Sequence, residues 1–297
     1  MVAINKLVWK WNLVMIVVDR KAKKETEYQY GKLVRFLYNT VIGRLVLKLL
    51  TNKVFANIGA CFMNSSLSKF MMKNKIEEYN IDMSLYEDRE YKSYNDFFTR
   101  KLKMINFDTS KNNFISPCDS KLMILKLDEK RKFEIKGSSY NANEIINDSL
   151  VKEFMNGYAL IFRLDVNDYH RYCYIDNGIR SDFKYINGEL HTVQPIVYDK
   201  VKVFHRNSRE WCVLHTENFD DVIMVEVGAL LVGKISNNKE IKEFSKGDEK
   251  GYFEFGGSTI ILLVKDNVVS FDKDILNNSS MGKETFVHCG EKIGRKK

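Results

Sequence analysis

The chain has 297 residues, 34.8 kDa, 44% hydrophobic side chains, 16 Gly and 2 Pro, which supports one large core or two modest ones and excludes a disordered, collagenous or Pro-rich chain. Its longest stretch without a charged side chain, Val54 to Ser68, is 15 residues with three Ser and two Asn, short of the roughly 20 apolar residues a spanning helix needs. The formal net charge of +8 lies entirely in residues 1–57, where eleven Lys and Arg face three acids, so any affinity for an anionic partner belongs to the N-terminal end.

Taken in chain order, Lys6 and Lys10 precede a short apolar run, Leu13–Val18, but Asp19, Arg20 and Lys21 follow at once and no small-residue cleavage site appears. That pattern reads against a secretory signal. Between Leu33 and Phe62, Arg35, Arg44, Lys48 and Lys53 are interleaved with Phe36, Leu37, Val41, Ile42, Leu45, Val46, Leu49 and Leu50 at spacings that predict amphipathic helices. Such helices can set apolar side chains at a headgroup boundary while each base adds about 1 kcal/mol of attraction to acidic lipid. They can equally pack on the rest of the protein with an ordinary solvated basic face. Nucleic acid is the weakest of the three partners, because the bases sit in apolar helices and no binding motif accompanies them. The helical pattern continues through Leu67–Met83.

Near residue 90 the pattern changes to short β-branched and aromatic runs: Lys121–Leu127, Tyr158–Leu164, Phe183–Ile186, Val222–Val227, Leu230–Ile235, Tyr252–Phe255 and Ile260–Val264. Turn signals such as Asp176-Asn177-Gly178 and Ile186-Asn187-Gly188 separate them. The expected architecture is α+β, with a helical, basic region over 1–90 and a β-rich domain over 91–297. The five cysteines, Cys61, Cys118, Cys173, Cys212 and Cys289, never approach C-x-x-C spacing and read as reduced thiols of a cytosolic protein, with no metal site.

Three features of the β-rich part could carry chemistry. Ser116-Pro117-Cys118-Asp119-Ser120 is a turn that holds the Asp119 carboxylate at a strand entrance, where an Asp more often caps its own backbone. Asp168-Tyr169-His170-Arg171-Tyr172-Cys173 offers an imidazole able to take and give a proton near neutral pH, although a lone His is more often structural. In Gly256-Gly257-Ser258-Thr259, wedged between apolar segments, the paired glycines permit backbone angles that could present the Gly257 carbonyl to the Ser258 hydroxyl. An ordinary hairpin would use the same residues.

In this order and with their flanks, these segments resemble the phosphatidylserine decarboxylase family. The resemblance covers Asn95–Leu102, Ser116–Asp119, Asp168–Tyr172, Val227–Ile235 and Lys246–Thr259, and the length and the Met281–Gly294 tail resemble the shorter bacterial branch. It implies a self-processing proenzyme in which the Ser258 oxygen attacks the Gly257 carbonyl and the chain breaks there. The products are a β chain, 1–257, and an α chain, 258–297, which remain together, with a pyruvoyl prosthetic group where Ser258 was. That group forms a Schiff base with the amine of phosphatidylserine, and loss of carbon dioxide leaves phosphatidylethanolamine. By resemblance the catalytic residues are Asp119, His170 and Ser258, with His170 as proton donor to the carbanion and an acid held against the base.

The sequence departs from the family pattern at Cys173, where many members carry a second histidine three residues after the first. One histidine then serves both reactions, or Cys173, His191, His205, His215 or His288 substitutes. A lipid substrate implies a peripheral protein on the cytoplasmic face of the cell membrane, drawn to an anionic surface by residues 1–57; a homo-oligomer is compatible with this. Two rivals stand beside it: a pyruvoyl decarboxylase of a soluble amino acid, and a membrane-surface protein that no longer cleaves itself.

Overall fold

The computed structural model describes residues 15–51, 53–135, 137–230, 234–255 and 258–297. Its main feature is an 11-stranded mixed sheet. In spatial order this runs β14 (Glu243–Phe244), β9 (Gly178–Arg180), β11 (Arg209–Thr216), β12 (Asp221–Val227), β16 (Ser258–Val264), β7 (Tyr158–Leu164), β4 (Ser120–Lys126), β18 (Glu284–Val287), β1 (Ile16–Asp19) and β2 (Lys24–Glu27), with β10 (Lys184–Ile186) also on β11. Neighbours are antiparallel except β1 and β18, which run parallel. Smaller sheets are formed by β13 (Ile235–Asn237), β15 (Glu249–Phe253) and β8 (Arg171–Cys173), by β17 (Val269–Phe271), β19 (Lys292–Lys296) and β3 (Asn113–Ile115), and by the pair β5 (Lys132–Ile135) and β6 (Ser138–Asn141).

The central strands are covered on both faces, which is why their sequences read as continuous apolar runs rather than as alternation. Along β16, Ile260, Leu262 and Val264 join one core with Leu160 and Phe162, under Tyr172 and Phe253 of the second sheet and Phe114 and Ile293 of the third. Ile261 and Leu263 point the other way, into a core with Ile161, Val225, Phe154 and Phe204, to which the N-terminal helices add Leu37, Tyr38 and Leu47. All five side chains from Ile260 to Val264 are fully buried. Each contributes about 1.5–3 kcal/mol by its transfer from water.

The α+β class holds, but the first 90 residues are not uniformly helical. Residues 16–27 form a hairpin that joins the large sheet through β18, because Ile16, Val17 and Val18 are β-branched and Asp19 closes the turn by accepting the backbone N–H of Lys21 and Ala22, both at 2.9 Å. Helices then span Lys32–Asn39, Val41–Leu50, Lys53–Asn64 and Phe70–Glu78. Thr40 caps the second by accepting the Gly43 N–H at 2.9 Å, and a Cβ on Gly43 would stand 2.0 Å from the Phe36 carbonyl oxygen, so only glycine allows this tight helix corner. No helix among the described residues is long and apolar enough to cross a membrane. Of the expected strand Leu230–Ile235, residues 231–233 lie outside the described residues, and the strand observed nearby is Ile235–Asn237.

One ion pair is sealed inside the first core. Lys250 Nζ meets Glu226 Oε1 at 2.7 Å with neither side chain exposed, and Asn237 bridges Lys250, Glu226 and Glu210 at 2.8–3.0 Å. Removing one partner strands a buried charge. Lys250→Met alone should cost about 3–5 kcal/mol in urea unfolding, and Lys250→Met with Glu226→Leu should recover most of it; equal losses in the single and double variants would show that the pair is not coupled.

Candidate functional site

Ser258 is the first residue of β16, opposite Leu164 at the end of β7. Its side chain is fully buried, and its hydroxyl has no hydrogen-bond partner among the described residues. Gly256 and Gly257, the other half of the expected cleavage junction, lie outside the described residues.

The segment leading into the junction is held firmly. Phe255 donates its backbone N–H to Asn95 Oδ1 at 2.7 Å, while Asn95 Nδ2 donates to Asn64 Oδ1 at 2.9 Å and to Glu254 Oε2 at 3.3 Å. Glu254 also pairs with Lys234 at 2.6 Å. Asn95 sits on the short helix Tyr94–Phe98, which exists because Ser93 caps it and because Tyr94, Phe97 and Phe98 bury themselves with Tyr91 in a third, aromatic cluster. Phe255 packs edge-on against Tyr94 and Phe98 at centroid distances of 5.0 and 5.3 Å.

His170 lies against the same cluster, its ring 3.8 Å from that of Phe98. It is fully buried. Its Nδ1 is 2.8 Å from the Asp168 carbonyl oxygen, which can only accept, so Nδ1 carries the proton and Nε2 is the bare nitrogen. Nε2 has no partner among the described residues, and the same holds for Ser258 Oγ, Thr259 Oγ1 and Ser120 Oγ. Burial, and secondarily the nearby Arg100 guanidinium, pushes the His170 pKa down to about 3, so the ring is neutral near pH 7. Asp168, two residues earlier, turns its carboxylate to Lys121 at 2.6 and 2.7 Å, leaving only its carbonyl for the imidazole.

Asp119 is placed elsewhere. Its Oδ1 accepts the Cys289 backbone N–H at 2.7 Å and stands 3.8 Å from His288 Nδ1, so its carboxylate serves a distant segment rather than its own turn. That carboxylate raises the His288 pKa above the ordinary imidazole value. Cys173 is buried, with its sulfur 3.7 Å from that of Cys289. The other histidines have other partners. His191 bonds Tyr38 and Glu189, His205 Nε2 accepts the Asn141 N–H, and His215 meets Asp221 at the far end of β11 and β12 from Ser258. The structure thus brings His170 to the aromatic side of the segment before Ser258, and pairs Asp119 with His288.

A model of the phosphatidylserine decarboxylase family matches residues 94–295, which takes in every residue just described except Asn64, Tyr91, Ser93 and Tyr38. The chain belongs to the phosphatidylserine decarboxylase family. It is 52% identical to phosphatidylserine decarboxylase proenzyme 2 of Clostridium acetobutylicum over 91% of this chain and 94% of that one. It is 44% identical to a phosphatidylserine decarboxylase proenzyme of Clostridium tetani over 94% of this chain and 97% of the relative, and 40% identical to one of Ruminiclostridium cellulolyticum over 94% and 96%. Membership makes the chain an enzyme of the carboxy-lyase class.

Two parts of the site went unread in the sequence. Asn95 and Phe98 stood in a segment that resembled the family, but nothing local tells that they grip Phe255, 160 residues away in the case of Asn95. His288 is one of four substitute histidines, and only the register of β18 against β4 brings it to Asp119.

The buried imidazole makes a pH prediction. Its folded pKa of about 3 lies below the ordinary 6.5, so the unfolded chain binds the extra proton more readily and stability is lost as pH falls from about 6.5 toward 3. His170→Gln should flatten this slope in urea unfolding at pH 7 and 4.5; an unchanged slope would place the acid sensitivity in other groups.

Proposed function

We propose that this chain is a phosphatidylserine decarboxylase proenzyme that cuts its own backbone between Gly257 and Ser258 and then converts phosphatidylserine to phosphatidylethanolamine and carbon dioxide. The observation that carries the reading is the Ser258 hydroxyl, buried and without a partner among the described residues at the head of a central strand. Buried hydroxyls are nearly always bonded, and an orphan is expected where the group must react.

In self-cleavage Ser258 Oγ adds to the Gly257 carbonyl carbon while the bare Nε2 of His170 accepts the hydroxyl proton. The C–N bond of the junction breaks, an ester replaces it, and the proton goes to the freed amine. Loss of the Ser258 Cα proton expels the Gly257 carboxylate, and water displaces the nitrogen of the resulting dehydroalanine as ammonia, leaving a pyruvoyl group. Asp119 is the second acid–base group of this sequence. The surroundings of Ser258 fit such a group, since they offer unpartnered polar atoms and an aromatic wall that excludes water. The pyruvoyl carbonyl supplies the electrophile for the substrate amine and the electron sink for loss of its carboxylate. His170, neutral and fixed in one tautomer, moves a proton at Nε2 in that reaction too.

Both pieces stay associated after the cut in this reading. β16 begins the smaller piece, and it is paired over seven positions with β7 and over six with β12, both in the larger piece.

The N-terminal helices support docking on an anionic membrane surface, at the cytoplasmic face. Helix Val41–Leu50 buries Gly43 and Leu47 but exposes Val41, Ile42, Leu45 and Leu49 by 55–68%, beside Arg44 and Lys48. Exposed apolar side chains next to bases suit a headgroup boundary and a lipid substrate.

Mass spectrometry of the purified protein should find two chains, the smaller of 40 residues with a ketone in place of the Ser258 amine and a methyl in place of its hydroxymethyl group; Ser258→Ala should yield one 34.8 kDa chain, and an unbroken wild-type chain would overturn the reading. Ile42, Leu45 and Leu49 changed together to Ser should cut co-sedimentation with phosphatidylserine-containing vesicles about tenfold or more, since each removes about 1.5–3 kcal/mol of burial when inserted. Undiminished sedimentation would rule out this face.

A further inference from the structure

The turn that carries Asp119 is held from both pieces of the chain. Cys173 donates its N–H to the Pro117 carbonyl at 2.9 Å, and Gly290 donates to that of Ser116 at 2.9 Å. Among the described residues, the carboxylate's hydrogen-bond and ion-pair partners come from the C-terminal piece, the Cys289 N–H at 2.7 Å and the His288 imidazole at 3.8 Å. This meeting is built into the sheet: β18 pairs with β4 so that Val287 stands opposite Ser120, and the next residues outward are His288 and Asp119. The His288 backbone is independently fixed, donating its N–H to Glu291 Oε2 at 3.0 Å, and its imidazole packs edge-on against Phe286 at 4.9 Å.

We propose that His288 is the positioning residue for Asp119 in self-cleavage, an imidazole supplied by the smaller piece that holds the carboxylate of the larger one in its working orientation. This rests on the self-cleavage role given to Asp119 above. A second, independent point is that position 173, one of the places where a family imidazole is expected, holds a buried thiol in contact with Cys289, the neighbour of His288.

The charged groups facing His288 are Asp119 from the turn, Glu291 from its own segment and Lys21 from the β1–β2 turn; the first two favour its protonated form and Lys21 opposes it. The buried thiols of Cys118 and Cys289 face the Asp119 side of the pair. Because the imidazole pKa is raised, the charged pair is complete below that value and is lost as pH rises through it. His288 therefore imposes a fall in self-cleavage rate on the alkaline side.

The test follows disappearance of the 34.8 kDa full chain, made by cell-free translation and moved into buffers from pH 6 to 9, for wild type, His288→Ala, His288→Asn and Asp119→Asn. His288→Ala should slow cleavage about fivefold, the worth of a half-exposed ion pair, and lose the alkaline fall. His288→Asn, which keeps a neutral donor near the Nδ1 position, should recover most of the rate at every pH but not the alkaline fall, a signature that a merely structural role would not produce. If Asp119→Asn blocks cleavage while His288→Ala and His288→Asn keep the wild-type rate and pH profile, the inference is overturned with the role of Asp119 intact. If Asp119→Asn cleaves like wild type, the role of Asp119 fails and the inference falls with it. Should His288→Ala not fold, the pH profile of His288→Asn decides alone.

Discussion

Hydrogen bonding of β16 on both edges is the constraint from which the rest of the site follows. Its seven residues are buried, five of them aliphatic, and its neighbours β7 and β12 pair with it along nearly its whole length. A strand so placed cannot shift or fray, so its first residue, Ser258, is held at a fixed point with its buried hydroxyl unpartnered among the described residues. The same placement makes a backbone cut just before the strand tolerable, because the ladder and both cores bind the strand whether or not the preceding bond survives.

The two candidate acid–base groups stand in surroundings of different chemistry. On one side aromatic rings carry His170, dry and neutral, with one nitrogen committed to the Asp168 carbonyl and the other left bare. Desolvation dominates there and favours an uncharged acceptor. On the other the Asp119 carboxylate accepts the Cys289 backbone N–H and faces a half-exposed imidazole from the C-terminal segment. Charge attraction dominates there and favours the protonated ring. Two histidines in one chain are thereby pushed in opposite directions by burial and by a neighbouring acid.

The lipid-facing reading of the N-terminal helices depends on a similar division of surfaces. Their inner side chains, Leu37, Tyr38 and Leu47, complete the second core, so the helices belong to the fold and are not a detachable arm. The apolar side chains left outside have no role in that packing, and Arg44 and Lys48 stand beside them. The hairpin of residues 16–27 ties the same region to β18, which in turn carries the segment that meets Asp119.

Sequence alone was enough for the α+β class and for the central strands Tyr158–Leu164 and Val222–Val227 to within a residue, because buried strands leave marks within a few neighbouring positions. Family motifs added Asp119 and His170 as residues to watch. What tertiary structure alone decided was who stands beside whom. Asn95 gripping Phe255, Phe98 stacking on His170 and His288 facing Asp119 are contacts across some 70 to 170 residues of chain, fixed by strand register and by the packing of one short helix. No local pattern encodes such distances, since the free energy that selects them is summed over the whole core rather than stored in any one segment.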